Sequence, residues 1–192
     1  MQNSELDSGR RSFLKRTSGI AGAGIGIGLL SSTAAAREHD LYIAAASGEP
    51  YYHITVTGSF ENGDSDIVGR VSADEQISFT YTGYMEKINV QETGEIVIEA
   101  TNGNNFDGWR KLTLDNVDST SVDYRVNTAD GISDYDKLES GDSKPTKGAG
   151  DGTLGSFDTD IYYGRGDFTS ARFTLDDIYS TDLTVEYMDN AP

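Results

Sequence analysis

The chain has 192 residues, of which 32 are acidic and 15 basic, and it contains no cysteine. The formal net charge of −17 argues against nucleic-acid binding, because contacts to phosphates need clustered lysine and arginine side chains. Without cysteine the protein has no disulfides, thiolate metal ligands or cysteine nucleophile.

The N-terminal segment has the features of an export signal. A twin arginine precedes an apolar, glycine-rich stretch of 14 residues over 17–30, which is shorter than the roughly 20 residues needed to span a bilayer. Small residues then supply a cleavage pattern. The motif residues are Arg10, Arg11, Phe13, Leu14, Lys15, Ala34 and Ala36. The segment resembles a twin-arginine signal peptide, which implies cleavage after Ala36, the twin-arginine translocase and signal peptidase as partners, and export of a folded domain. An uncleaved anchoring helix is the alternative.

The predicted mature chain, residues 37–192, is more acidic than the whole. Without the four basic and two acidic residues of 1–36, it keeps 11 basic and 30 acidic side chains, a net charge of −19. Such self-repulsion is costly at ordinary ionic strength and is screened in about 1 M salt, where the Debye length is about 3 Å. This composition resembles that of exported proteins of halophilic archaea and implies a secreted or cell-surface location at high salt.

Alternating apolar and polar residues predict strands along the mature chain, and no segment has a helical apolar stripe. The predicted strands are 53–57, 77–82, 85–90, 95–100, 111–114, 122–126, 161–163, 171–175 and 183–187. We therefore expect an all-β fold, an antiparallel β-sandwich or jelly roll. Gly94 is predicted to lie in a hairpin, and the segment 136–156, rich in glycine and poor in apolar residues, is predicted to be a long loop.

A weak internal repeat is also visible. It matches 52–56 with 122–126, 79–83 with 161–165, and 97–102 with 185–190, which predicts two related β units over 41–104 and 110–190. Chance similarity between strand patterns is the alternative. The pattern Tyr-x-Ile-x-Val-x-Gly at 52–58, Ile67-Val68-Gly69 and the closing strand Ile96-Val97-Ile98 resembles a small β module of exported haloarchaeal proteins. The resemblance implies a surface or carbohydrate-associated role and transfers no catalytic residue.

Two aromatic groups are candidates for ligand binding. Phe106 and Trp109 lie in a polar, glycine-containing segment, where flat rings beside amides and carboxylates could stack on a sugar. Tyr162 and Tyr163 are adjacent on a predicted strand, so one ring should lie on each face. The alternative for Trp109 is a ring that covers one end of the core.

Four carboxylates at Asp130, Asp134, Asp136 and Glu139 form a turn-like acidic stretch. Calcium accepts oxygen ligands from flexible loops, so this stretch is a candidate calcium site, although its spacing is not that of an EF-hand. Halophilic surface acidity explains the same residues without an ion. No other cofactor is expected.

Catalytic motifs are scarce. His39 is predicted to lie in a frayed segment and His53 on a solvent-facing strand position, and no Gly-x-Ser-x-Gly elbow is present. We therefore assign no catalytic residue. The sequence favours an exported, non-enzymatic binding module, with extracellular polysaccharide or other surface proteins as partners. An extracellular assembly built by edge-strand pairing and a carboxylate-dependent polysaccharide hydrolase are the alternatives.

Overall fold

The computed structural model describes residues 38–101, 108–136, 138, 143–146 and 148–188, with only the backbone for 143–146. In these residues the chain is all β, with 79% in strands, which confirms the predicted all-β class. The strands are β1 (Glu38–Gly48), β2 (Tyr51–Val56), β3 (Asp66–Arg70), β4 (Gln76–Thr82), β5 (Met85–Thr101), β6 (Trp109–Asn116), β7 (Val122–Asp136), β8 (Ser143–Thr146), β9 (Gly148–Leu154), β10 (Thr159–Arg165) and β11 (Phe168–Met188). This described part contains no helix long and apolar enough to cross a membrane. The predicted signal peptide, residues 1–36, lies outside it.

The strands form because alternate side chains are apolar and share one buried face. In β2, for example, Tyr52, Ile54 and Val56 are buried, while the residues between them are partly exposed. The same alternation runs the length of β6. One continuous apolar core results, to which nearly every strand contributes.

Two long strands, β5 and β11, lie side by side and antiparallel, and each has two sets of neighbours. Residues 85–91 of β5 pair with β2, and residues 94–101 pair with β1. In β11, residues 168–174 pair with β7, and residues 181–188 pair with β6. Both strands are irregular near their middles, where the register shifts.

The predicted hairpin at Gly94 is wrong. Gly94 lies inside β5, opposite Gly48 of β1 and Leu175 of β11. A Cβ at Gly94 would lie 2.3 Å from the carbonyl oxygen of Ser47, so glycine is needed there for close backbone approach rather than for a turn.

The two halves of the chain share one pairing scheme. The first half uses β1 to β5 in order, and the second uses β6, β7, β9, β10 and β11. In each half the first strand pairs with the fourth and with the C-terminal part of the fifth. The second strand pairs with the third and with the N-terminal part of the fifth.

The register of the two halves also agrees. Tyr52 pairs with Gly69 and Val90, and Tyr124 pairs with Gly152 and Phe173. Tyr52 therefore corresponds to Tyr124, 72 residues later, whereas the sequence alignment of 52–56 with 122–126 is two residues out of register. A two-residue slip keeps every side chain on its own face of the sheet, so alternation alone does not reveal it.

Equivalent turns follow from this register. Gly83 and Gly166 have φ angles of 82° and 76° and join the fourth strand to the fifth in each half. The residues after them, Tyr84 and Asp167, are therefore equivalent. His39 and Arg110 are equivalent as well, because they pair with Tyr81 and Gly164 at matching positions of β4 and β10.

Two further expectations are corrected. The predicted loop 136–156 contains β8 and β9, and β9 pairs with β7 along most of its length. Its small residues allow close packing, since a Cβ at Gly150 would lie 2.9 Å from the Tyr162 ring. His39 belongs to β1, is 7% exposed and stacks on Tyr81 with ring centroids 5.0 Å apart, so it is not frayed.

Candidate functional site

A cleft of about 810 Å³ opens beside the turn between β4 and β5. Its walls come from β2, β5, the start of β6 and the end of β11. It is lined by Thr55, Thr57, Tyr84, Arg110, Thr184 and Tyr187, together with Met85, Glu86, Lys87, Val185 and Glu186. This volume is in the range of small-molecule sites.

Arg110 lies beneath two tyrosine rings at the cleft. Its guanidinium carbon is 5.1 Å from the ring centroid of Tyr84 and 4.6 Å from that of Tyr187. The two rings are 6.0 Å apart at an angle of 46°, and their residues are 42% and 51% exposed. Arg110 itself is 2% exposed, so the cation holds the inner sides of rings whose outer sides reach solvent.

The buried cation has an acidic partner. Arg110 Nη2 donates a hydrogen bond to Asp167 Oδ1 at 2.8 Å. Burial lowers the pKa of Arg110, and the nearby Asp167 carboxylate opposes that change. Burial also raises the pKa of Tyr81, with a smaller contribution from Asp167. Because arginine titrates so far above neutrality, Arg110 stays charged at ordinary pH.

The cleft was not predicted from the sequence. Arg110 has the same phase as Leu112 and Leu114, which are buried, so the apolar face of β6 begins with a cation. The predicted strand 111–114 begins one residue too late to show this. A charged residue in phase with a buried face was the available signal, because such a position demands a partner.

Hydroxyl groups, the apolar side chains of Met85 and Val185, and the charged residues Glu86, Lys87 and Glu186 form the rest of the wall. Thr57 Oγ1 accepts a hydrogen bond from the backbone N–H of Tyr84 at 2.8 Å, which ties the turn before β5 to the end of β2. Lys87 at the rim pairs with Asp182 at 2.9 Å. Glu186 pairs with Lys111 at 3.3 Å. The walls therefore offer rings and hydroxyls without a large excess of either charge.

The aromatic candidates from the sequence differ in their burial and in the face of the sheet on which they lie. Trp109 begins β6 instead of lying in a loop, and it is half-buried on the face opposite Arg110. Tyr163 lies on the same face, opposite Lys111 two residues along from Trp109, and is also half-buried. Tyr162 is fully buried, with its hydroxyl 2.7 Å from that of Tyr124, so its ring is not available to a ligand. Phe106 lies outside the described residues.

The acidic candidates lie in a strand, not in a turn-like stretch. Asp130, Asp134 and Asp136 are exposed residues of β7. Asp134 and Asp136 pair with Tyr163 and Ile161, while Asp130 lies against the turn at Gly166. Where the structure describes side chains, no group of three or more histidine or acidic residues is arranged to hold a metal ion. Glu139 lies outside the described residues, and calcium binding stays a prediction.

His53 occupies a half-exposed position on β2. Its Nε2 lies 3.0 Å from Asp66 Oδ2 on the neighbouring strand β3. The pair lies at the sheet surface, with side chains 42% and 49% exposed.

Comparisons with protein-family models, with curated proteins and with solved structures found no match to this chain. The site is therefore interpreted from its own geometry.

Proposed function

We propose that this chain is an exported, non-enzymatic binding module that folds as an antiparallel β-sandwich and acts as a secreted or cell-surface protein. Its ligand site is the cleft around Tyr84 and Tyr187. One observation carries the assignment: two half-exposed tyrosine rings are held in place by a buried arginine at the edge of a cleft. Fixed rings with one solvent-facing side are suited to stacking, because little ordering remains to be done on binding.

The proposed ligand is a neutral polysaccharide. Sugar rings present apolar faces to aromatic side chains and hydroxyls to polar ones, and Thr55, Thr57 and Thr184 supply hydroxyls beside the rings. The positive charges of Arg110 and Lys87 are already matched by carboxylates. With the strong negative charge of the whole chain, this favours an uncharged ligand over an acidic one.

Export rests on the sequence. The twin arginine at Arg10 and Arg11, the short apolar stretch and Ala34 to Ala36 support passage through the twin-arginine translocase and cleavage by signal peptidase. The acidic composition supports adaptation to high salt.

Assembly through an edge strand is the second candidate. Among the described residues, β3 pairs only with β2, and Val68 on β3 is 57% exposed. An open edge with an exposed apolar residue supports strand pairing with another chain.

Affinity electrophoresis tests the proposed function. The chain purified after export is run through gels containing laminarin, galactomannan or soluble starch, in about 3 M sodium chloride. We expect at least one polymer to retard the chain, and Tyr84→Ala/Tyr187→Ala to remove the retardation. Tyr163→Ala is the matched control, since it removes a half-buried tyrosine from the face that carries Trp109, opposite the face of Arg110.

Three outcomes contradict the proposal. Retardation lost in Tyr163→Ala and kept in the double variant would move the site to the face of Trp109. Release of reducing sugar from the polymer would favour the hydrolase alternative. No retardation by any polymer, with self-association that Val68→Asp abolishes, would favour assembly.

A further inference from the structure

Three large apolar side chains are exposed together beyond the C-terminal end of β6, far along that strand from Arg110. Val117, Phe157 and Tyr179, here called the aromatic patch, are 46%, 73% and 78% exposed. Hydrogen bonds bring the three chain segments next to one another. Val117 N–H donates to Ser180 O at 3.3 Å, and Phe157 N–H donates to Asp118 O at 2.9 Å. Tyr179 N–H donates to Asp118 Oδ2 at 2.6 Å.

The first half of the chain shows that the fold does not require Phe157. Phe157 lies in the turn before β10 with φ of 54°, and Asp74 lies in the equivalent turn before β4 with φ of 63°. Aspartate tolerates this left-handed conformation, whereas a bulky aromatic residue rarely adopts it. The second half therefore carries a bulky and more strained aromatic residue, Phe157, where the first half has the less costly Asp74. Such outliers are found where the residue serves a contact.

Tyr179 gives the same comparison at an independent position. Each long strand has one non-glycine residue with positive φ in its irregular middle, Glu92 with φ of 74° and Asp177 with φ of 54°. Two residues further on, the first half has Gly94 and the second has Tyr179. At this pair of equivalent positions too, only the second half has an exposed ring, so the aromatic patch is an addition to the common fold.

The surroundings of the patch limit its ligand. The segments 115–120, 155–160 and 176–180 contain several aspartates and no lysine or arginine. Asp176 and Asp177 are exposed. Phosphates, anionic lipids and acidic polymers are repelled by such a surface. Rings beside carboxylates instead suit a neutral polyhydroxylated chain, whose hydroxyls donate to the acids.

We propose that the aromatic patch is a second contact site for the neutral polysaccharide bound in the cleft. This inference rests on the proposed function and adds a second point of attachment. A polymer that reaches both sites gains affinity from the second contact, because that contact is intramolecular once the first has formed. A short oligosaccharide occupies one site and gains nothing.

The test compares polymer with oligosaccharide in the chain purified after export. The patch variant is Phe157→Asp/Tyr179→Ala, in which residue 157 takes the residue type of the equivalent turn, so we expect its melting temperature to match the wild type. Affinity for the retarding polymer, measured by electrophoresis, should fall about tenfold. Affinity for the trisaccharide of that polymer, measured by calorimetry, should not change. Val68→Asp, an exposed substitution on β3, is the control and should leave both affinities as they were.

The possible failures are distinguishable. Unchanged polymer affinity in the patch variant, with binding lost in Tyr84→Ala/Tyr187→Ala, overturns the second site and leaves the cleft in place. A patch variant that loses self-association in sedimentation but not polymer affinity assigns the patch to a protein interface and overturns the inference. A wild-type chain that no polymer retards overturns the inference and the proposed function together.

Discussion

Arg110 and Asp167 form a buried ion pair beneath the cleft, with side chains 2% and 11% exposed. Removing one partner of such a pair leaves an uncompensated buried charge, which typically costs 3 to 5 kcal/mol. We expect Asp167→Asn to lower the free energy of unfolding by about 3 kcal/mol. Denaturant unfolding at neutral pH measures the change.

The exposed pair Arg70–Glu92 is the control for this prediction. Its side chains are 47% and 43% exposed, so solvent screens their attraction. Glu92→Gln should change the unfolding free energy far less than Asp167→Asn does. Equal losses in Asp167→Asn and Glu92→Gln would contradict the view that burial makes the Arg110 pair important.

Asp118 gives a prediction about acid stability. Hydrogen bonds from backbone N–H groups, chiefly that of Tyr179, lower the pKa of Asp118 from its ordinary value of 3.8. Because the folded-state pKa is the lower one, Asp118 contributes stability above its unfolded-state pKa, and that contribution is lost as the pH falls through the folded-state pKa. We expect Asp118→Asn to weaken the fall in melting temperature below about pH 4. A melting temperature that falls as steeply with decreasing pH in Asp118→Asn as in the wild type would contradict this.

At the scale of elements, the turn between β4 and β5 sets the position of Tyr84. Gly83 has φ of 82°, and a Cβ there would lie 2.5 Å from Gly58 N and 2.6 Å from Thr57 Oγ1. Thr57 Oγ1 also accepts the N–H of Tyr84. We expect Gly83→Ala to cost more than about 1 kcal/mol in unfolding free energy and to weaken polysaccharide binding.

Gly63→Ala separates backbone strain from the steric effect. Gly63 has φ of 89°, and a Cβ there would meet nothing within 4 Å. This variant should lose some stability, since alanine is strained at positive φ, and should keep the wild-type affinity. Equal affinities in Gly83→Ala and Gly63→Ala would show that the turn does not position Tyr84 for binding.

Strands with alternating side chains were predictable, and those built from small residues were not. β2 and β4 follow their apolar patterns, whereas β9 contains glycines that bury backbone against Tyr162 and leave no alternation to read. The continuity of β5 through Gly94 could not be predicted, because a glycine required by close backbone approach gives the same sequence signal as a glycine in a turn. The cleft was hidden because its residues come from separated strands, and only pairing brings Tyr84, Arg110 and Tyr187 together.

For the whole molecule, charge governs the response to salt. With a net charge of −19 on the predicted mature chain, repulsion should destabilise the fold in dilute buffer. We expect the melting temperature to rise steadily as sodium chloride increases from about 0.1 to about 4 M. A melting temperature that is flat or falls over this range would contradict the high-salt interpretation.

Calcium at constant ionic strength is the control for that experiment. A rise specific to calcium, removed by a chelator and lost in Asp134→Ala, would show that the carboxylates at Asp130, Asp134, Asp136 and Glu139 act as a metal site. Indifference to calcium would leave them as part of the acidic surface.

The central claim is that the cleft of Tyr84, Arg110 and Tyr187 binds the ligand, and NMR titration tests it most directly. Arg110 Nε–H is buried at the cleft, and Trp109 is the single tryptophan of the chain, on the opposite face of β6. The oligosaccharide of the retarding polymer should shift the Arg110 Nε–H resonance, and Tyr187→Ala should abolish that shift. A titration that moves the Trp109 indole N–H and leaves the Arg110 resonance in place would contradict the assignment.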